Sequence, residues 1–214
     1  MIEYKTIYKS EISEIVVEKS RFIIYCSNVQ TEEDAHNFIG EIKKKNYDAS
    51  HNVFAYIIGD TMNIQKYSDD KEPSGTAGIP ALEVLKKEKI TDTVVVITRY
   101  FGGIKLGAGG LVRAYSKAAK SGLENSKITF KKVFTPIKLN VDYSYIKKLQ
   151  NDFSNRNIIN SNPVFMENVK FTIFVPFNQL EENIDYYNNL TSGNIKFEVG
   201  NPILIDFVDN KFIL

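Results

Sequence analysis

The stretch DTVVVITRYFGGIKLGAGGLVRAY, residues 92–115, decides how this sequence is read. It opens with a run of β-branched residues, which is typical of a β-strand buried on both faces. The middle part is dense in glycine: Gly102, Gly103, Gly107, Gly109 and Gly110. From Leu111 onward, apolar residues recur at helical spacing. The stretch therefore predicts a buried strand, a glycine-rich loop and a helix that begins at residue 111.

A second glycine-bearing run, SDDKEPSGTAG at 68–78, precedes another predicted helix, with Pro80 in its first turn. Both loops thus lead into a helix N-terminus, where free amides and the helix dipole favour an anion. Neither loop is a nucleotide motif, because Ala108 and Gly109 replace the Walker Lys-Ser/Thr pair and Val112 replaces the last glycine of a dinucleotide fingerprint. No cofactor is predicted. Glycines that permit positive φ and close helix–sheet packing are the structural alternative.

The surrounding pattern predicts an α+β protein of two domains. Alternating segments meet in a tight connection at Lys19–Ser20, Thr31 begins a helix as its N-cap, and the strand NVFAYIIG pairs with NIQKYS. The segment KKVFTP, 131–136, is the predicted boundary, which gives domains 1–133 and 136–214. Beyond it the order of elements is βαββαβ, the ferredoxin-like pattern.

Positive charge is concentrated beside the glycine-rich loop. The whole chain has 27 basic and 26 acidic residues, yet the segment 99–132 has eight basic residues against one acid, Glu124. Such a segment favours an anionic partner such as RNA, although a solvated helix face is the alternative. The predicted phosphate-binding side chains are Arg99, Lys105, Arg113, Lys117 and Lys120. Tyr100 and Phe101 are predicted to stack on bases, with core packing as the alternative.

A candidate polar pocket comes from the other glycine-bearing run and from His51. Its members are His51, Asp70, Glu72, Ser74, Gly75 and Thr76, where the histidine or an acid could act as a base and the hydroxyls could polarise a phosphoryl group. No serine-hydrolase elbow and no Cys/His metal pattern occurs, so no catalytic residue and no metal site is assigned. The single cysteine, Cys26, is predicted to be a buried thiol and fits a reducing cytoplasm. No apolar run approaches the roughly 20 residues that span a bilayer.

Two segments, YSDDKEPSGTAGIPALEVL and VVVITRYFGGIKLGAGGLVRAY, closely resemble the signature of the YigZ/IMPACT family. The segments SRFI, TEEDAHNFI and DASHNVFAY fit the same pattern, so the resemblance covers almost all of the N-terminal domain. One departure is Lys71, which stands where that family usually has glycine in a D-D-G-E-P run.

The resemblance implies an N-terminal domain of the ribosomal-protein type, similar to domain IV of elongation factor G, and a ferredoxin-like C-terminal domain. Eukaryotic relatives act in translational control by binding a protein partner through a domain of their own, so that role is not carried over. The leading hypothesis is a non-enzymatic protein that binds RNA or the ribosome in the cytoplasm. An enzyme acting on a phosphorylated small molecule and a protein-interaction regulator without RNA are the alternatives.

Overall fold

The computed structural model describes residues 1–9, 11–208 and 211–213. The fold is mixed α+β, and the chain divides into two compact units whose main parts are Ile2–Lys131 and Lys132–Asp206. Among the described helices, none combines the length and the hydrophobicity that crossing a lipid bilayer requires.

Within its main part, Ile2–Lys131, the described residues of the N-terminal unit form three helices and seven strands, the last of which runs on into the second unit. In chain order they are β1 (Tyr4–Lys9), β2 (Ser13–Val17), β3 (Ser20–Asn28), α1 (Glu32–Lys45), β4 (His51–Ile58), β5 (Ile64–Ser68), α2 (Gly78–Glu88), β6 (Thr93–Tyr100), α3 (Gly107–Glu124) and β7 (Lys127–Val141).

The central sheet of this unit has the order β2-β3-β6-β4-β5, and all its strand pairs are antiparallel. Strand β6 lies in the middle and is buried on both faces, which confirms the prediction from its β-branched run. Side chains alternate between the faces. Val95 and Ile97 pack with α2 and α3, whereas Val94 and Val96 pack with α1.

Two local predictions for this unit can be compared directly with the structure. Thr31 is the N-cap of α1, as predicted, since its hydroxyl accepts a hydrogen bond from the Asp34 amide at 3.1 Å and the Asp34 side chain accepts one from the Thr31 amide. The hairpin between β2 and β3 turns one residue earlier than predicted. Glu18 and Lys19 form the turn with φ of 45° and 63°, a combination that type I′ hairpins require.

The C-terminal unit follows from the later part of β7. Its elements are α4 (Ile146–Asn155), β8 (Ile159–Asn160), β9 (Val164–Phe165), β10 (Val169–Pro176), α5 (Leu180–Leu190) and β11 (Ile195–Val199). The last strands, β12 (Ile203–Val208) and β13 (Lys211–Ile213), are divided between the two units, since Phe207–Lys211 belongs to the N-terminal unit. Strands β11, β7, β10 and β8 are neighbours in that order, each antiparallel to the next. The strand between α4 and β10 that the βαββαβ pattern predicts is two short strands, β8 and β9, because Pro163 between them cannot donate a ladder hydrogen bond.

Candidate functional site

In the glycine-bearing run SDDKEPSGTAG at 68–78, one of the run's own carboxylates binds the backbone amides. The Asp69 carboxylate accepts hydrogen bonds from the amides of Gly75 (2.8 Å), Ala77 (3.1 Å) and Gly78 (2.7 Å). These amides lie at the start of α2, where an external anion would otherwise bind. Asp69 therefore takes the place of a ligand, and the amides of this run are not a free anion site.

The neighbouring residues of the predicted polar pocket also serve the loop itself. The Asp70 carboxylate accepts from the Asn52 amide at 2.6 Å and from Lys43 Nζ at 3.2 Å. Thr76 Oγ1 donates to the Pro73 carbonyl at 2.7 Å, and Ser74 is exposed on the surface. Asp70, Ser74, Gly75 and Thr76 consequently do not converge on one pocket as predicted.

Lys71 occupies a left-handed backbone conformation of the kind that glycine adopts most easily. The turn closes normally, with the Glu72 amide donating to the Asp69 carbonyl at 3.0 Å. Its two central residues, Asp70 and Lys71, have φ of 43° and 71°. This left-handed region suits glycine and costs other residues roughly 1–2 kcal/mol.

A buried network of charges lies beneath the two glycine-bearing runs. Glu72 Oε1 accepts from Arg99 Nη1 at 2.6 Å and from the Tyr115 hydroxyl at 2.8 Å. The Glu72 and Arg99 side chains are almost fully buried. Burial, and then the Glu72 charge, raise the pKa of Tyr115 above its usual range, so this phenol remains a hydrogen-bond donor. The network thus joins the loop after β5 to β6 and α3.

His51 lies at the edge of this network in a fixed orientation. Its Nδ1 is 2.8 Å from the Asp70 carbonyl oxygen, which can only accept, so Nδ1 carries the proton. The other ring nitrogen, Nε2, is then turned towards Glu72 Oε1 at 3.7 Å. Of the predicted polar pocket, the structure therefore brings together the side chains of His51 and Glu72, with the backbone carbonyl of Asp70 on the other side of the imidazole.

Arg99 does not belong to the exposed basic surface to which the sequence analysis assigned it. Its side chain follows Val95 and Ile97 on the face of β6 that α2 and α3 cover, and the residue is only 4% exposed. Its guanidinium lies between the rings of Phe22 and Phe101, at 5.5 and 5.6 Å from their centres. Arg99 is paired with Glu72 in the interior.

The two predicted stacking aromatics have different environments. Tyr100 is half-buried against the α1 side of the sheet, and its hydroxyl donates to Asp48 Oδ1 at 3.1 Å. Phe101 is 48% exposed. Of the two, Phe101 offers a ring face to a ligand.

Gly102 has a structural reason to be glycine. A Cβ atom on it would stand 2.0 Å from the Lys19 carbonyl carbon and oxygen, inside the β2–β3 turn. Its amide donates to Ser20 Oγ at 3.3 Å. Contrary to the prediction, this amide is therefore not free to donate a hydrogen bond to a phosphate. Gly103, which follows it, is exposed with φ of 85°.

Helix α3 begins four residues earlier than predicted, at Gly107, which has φ of 69°. Gly107, Gly109 and Gly110 therefore form the first turn of the helix and not a loop. No side chain within the described residues caps this end, and its first turn has no acid. In contrast to α2, the N-terminus of α3 keeps its positive dipole end open.

Exposed cations surround this open helix end. Lys105, Arg113 and Lys117 line a surface groove of about 460 Å³ that continues to Val17 and Glu18 of the β2–β3 hairpin. Lys120 lies further along the helix, and its Nζ is 3.6 Å from Glu124. The predicted basic residues other than Arg99 are thus exposed, three of them in this groove and Lys120 in a separate depression beside α2. We call Lys105, Arg113 and Lys117 the basic groove.

A second depression, of about 310 Å³, lies on the other side of the α3 N-terminus. Its polar walls are His51, Glu72 and Arg99, and its helix wall includes Gly107 and Ala108. Phe101, Leu106 and Leu111 supply apolar walls. We call this depression the Arg99 cavity. Leu106, Ala108 and Tyr115 were not identified as site residues from the sequence. For Arg99 there was a signal, since alternation along β6 puts it on the same face as Val95 and Ile97.

A helix N-terminus that no side chain of the described residues caps, beside an exposed basic groove, is thus the main feature of this unit. Comparison with known proteins gives its family. The Impact N-terminal domain matches residues 18–123. The chain is 43% identical over 197 residues to the IMPACT family member YvyE of Bacillus subtilis, covering 92% of this chain and 91% of that protein. It belongs to the IMPACT family.

Other relatives extend the comparison. The chain is 33% identical over 136 residues to YigZ of Escherichia coli, covering 63% of this chain and 67% of YigZ. It is 32% identical over 105 residues to the Protein IMPACT homolog of Dictyostelium discoideum, covering 48% of this chain and 30% of that protein. A crystal structure of a hypothetical protein is similar, with 26% identity, a TM-score of 0.59, and coverage of 92% and 97% of the two chains.

Proposed function

We propose that the N-terminal unit binds single-stranded RNA through the open end of α3 and the basic groove, without catalysing a reaction. The observation that carries this proposal is the first turn of α3, which is uncapped within the described residues and adjoins Lys105 and Arg113. Backbone amides, the helix dipole and long cationic side chains together form a site for phosphate groups.

The spacing of the cations fits a polymer of phosphates. Arg113, Lys117 and Lys120 follow one another at intervals of four and three residues, so they line up along one face of α3. A single small anion would need only the helix end, whereas a row of charges along a groove can follow a strand. Phe101 adds an exposed ring on which an unpaired base can stack.

The proposal includes the architecture and the cellular setting. We infer two domains, 1–133 and 136–214. The strand order β11-β7-β10-β8 with two helices supports a ferredoxin-like C-terminal domain. Family membership supports an N-terminal domain like domain IV of elongation factor G, and a cytoplasmic partner in translation, either the ribosome or another protein of translational control.

Fluorescence anisotropy with a labelled single-stranded RNA tests the proposal. The triple change Lys105→Ala, Arg113→Ala and Lys117→Ala is expected to weaken binding at least tenfold, because it removes the cations of the basic groove. The matched control removes three exposed lysines elsewhere in the unit, by changing Lys44, Lys66 and Lys86 to Ala.

This control lowers the net charge by the same amount and is expected to retain most of the affinity. Equal losses in both triple variants would mean that only net charge matters, and would overturn the assignment of the site. No binding by the wild type even at low salt would overturn RNA binding itself. It would favour one of the two alternatives, an enzyme for a phosphorylated small molecule or a protein-interaction regulator.

A further inference from the structure

The Arg99 cavity has a buried guanidinium in its wall with donors to spare. A guanidinium carries five N–H donors. Within the described residues, Nη1 donates to Glu72 and Nη2 donates to Ser20 Oγ at 3.2 Å, while Nε has no partner. The Nε atom is closed to solvent, so its missing partner is a cost of the fold, and the evidence for a ligand lies in the groups that line the cavity.

The charges around the cavity favour one anionic group. Glu72 neutralises Arg99, so this pair adds no net charge of its own. The start of α3 at Gly107 and Ala108, with its open positive dipole end, and the side chain of Lys105 line the same cavity. Their combined effect leaves the cavity positive at the helix end, where a phosphate group would accept from the free amides.

The remaining walls favour a flat apolar group next to that anion. Pro73, Leu106 and Leu111 line the cavity together with Phe101. One face of the Phe101 ring lies against the Arg99 guanidinium, and the residue is still 48% exposed. A volume of about 310 Å³ lies at the lower end of the range for small-molecule pockets. A heterocyclic base stacked on Phe101 meets these conditions.

We propose that the Arg99 cavity binds one nucleotide, with its phosphate at the N-terminus of α3 and its base against Phe101. This inference rests on the proposed function, since the nucleotide is taken to belong to the bound RNA strand. Neighbouring nucleotides would contact the basic groove through their phosphates only. The cavity is then the one position at which the protein contacts a base as well as the backbone.

Isothermal titration calorimetry with the full chain tests this proposal. The ligands are the four nucleoside 5′-monophosphates, the corresponding nucleosides and inorganic phosphate. At least one monophosphate is expected to bind more than tenfold tighter than its nucleoside and than inorganic phosphate. Only the monophosphate combines a phosphate at the α3 N-terminus with a base on Phe101. Phe101→Ala is expected to weaken that monophosphate about 5- to 100-fold, the usual range for loss of a stacking aromatic.

A cavity-filling variant separates the cavity from the fold. Ala108→Leu places a bulky side chain in the cavity at an exposed helix position, where leucine is a good helix former. It is expected to abolish monophosphate binding. Its matched control is Val112→Leu, an exposed position of the same helix that lines neither the cavity nor the basic groove. This control is expected to bind as the wild type does.

The outcomes distinguish this proposal from the proposed function. Monophosphates that bind no better than inorganic phosphate, or that bind Ala108→Leu unchanged, would overturn the nucleotide cavity even if RNA still binds through the basic groove. Monophosphate binding that Ala108→Leu abolishes, in a protein that does not bind RNA, would support the cavity with free nucleotide as its ligand and overturn the proposed function alone. A wild-type protein that binds neither RNA nor any monophosphate would overturn both proposals.

Discussion

The buried pair of Glu72 and Arg99 gives the most demanding prediction about the fold beneath the site. Changing Glu72 to Ala leaves the Arg99 guanidinium without its counter-charge and the Tyr115 hydroxyl without its acceptor. Both ionic side chains are about 5% exposed or less, so the missing carboxylate leaves the guanidinium largely buried. The variant should fold poorly because it buries an unpaired charge.

The magnitude follows from the burial of the pair. Truncating one partner of a buried ion pair costs about 3–5 kcal/mol. Glu83→Ala is a matched control, because Glu83 also forms an ion pair at 2.6 Å, with Lys86, but on the surface. Exposed pairs contribute about 0–1 kcal/mol. Two ion pairs of equal length are therefore expected to differ several-fold in their effect on stability.

Hydrogen exchange measured for the amides of β6 is the appropriate assay, since the chain has two compact units and a single melting curve would combine them. In Glu72→Ala, amides that exchange only by unfolding of the N-terminal unit should exchange roughly 150- to 5000-fold faster, the equivalent of 3–5 kcal/mol. In Glu83→Ala the increase should stay below about fivefold. Similar accelerations in both variants would refute the reasoning that burial makes the Glu72 pair indispensable.

Three further predictions concern the backbone and the interior of the N-terminal unit. Lys71→Gly should raise the free energy of unfolding by about 0.5–1 kcal/mol in urea denaturation, because relief of the left-handed conformation exceeds the entropic cost of glycine; a destabilised variant would contradict this. Gly102→Ala should destabilise the unit by at least about 2 kcal/mol, since its methyl group would overlap the Lys19 carbonyl, and wild-type stability would contradict the close approach. Burial raises the pKa of the Cys26 thiol to about 12. At pH 8 the native protein should react with a disulfide reagent roughly a thousandfold slower than the denatured chain, and comparable rates would show that the thiol is accessible. The raised pKa also makes stability depend on pH, because the folded state favours the protonated thiol. The contribution of the buried Cys26 thiol to the free energy of unfolding is complete below about pH 8.5 and is lost as the pH rises towards 12.

The parts of the fold that sequence predicts well are those in which one local rule acts alone. Between Thr93 and Thr98, strand β6 is the uninterrupted apolar run Val94–Ile97, so a doubly buried strand is its only good environment. Thr31 and Asp34 form both halves of a capping box, and the helix begins where they place it. The alternating pattern also predicted a tight turn before β3, although it placed that turn one residue too late.

The candidate site was harder to predict because tertiary contacts override local preference there. Glycine has a poor helix propensity, so the first turn of α3 looked like loop, yet packing of Leu111, Ala114 and Tyr115 on the sheet keeps it helical. Arg99 looked like a member of a basic surface, because its partner Glu72 lies 27 residues earlier in the sequence. The alternation of β6 placed Arg99 on the same face as Val95 and Ile97, but which helices cover that face could not be predicted from the strand alone. The exposed cations of α3 could be predicted from the charge of the segment alone, because their exposure does not depend on a partner distant in the sequence.

The salt dependence of RNA binding tests the central claim most directly. For single strands, each phosphate contact contributes roughly 0.7 to the slope of log K against log salt concentration. Removing Lys105, Arg113 and Lys117 should therefore flatten the slope by about 2, the loss of three contacts. The control triple variant at Lys44, Lys66 and Lys86 should keep the wild-type slope. An unchanged slope in the Lys105, Arg113 and Lys117 variant would contradict the claim that the basic groove contacts phosphates.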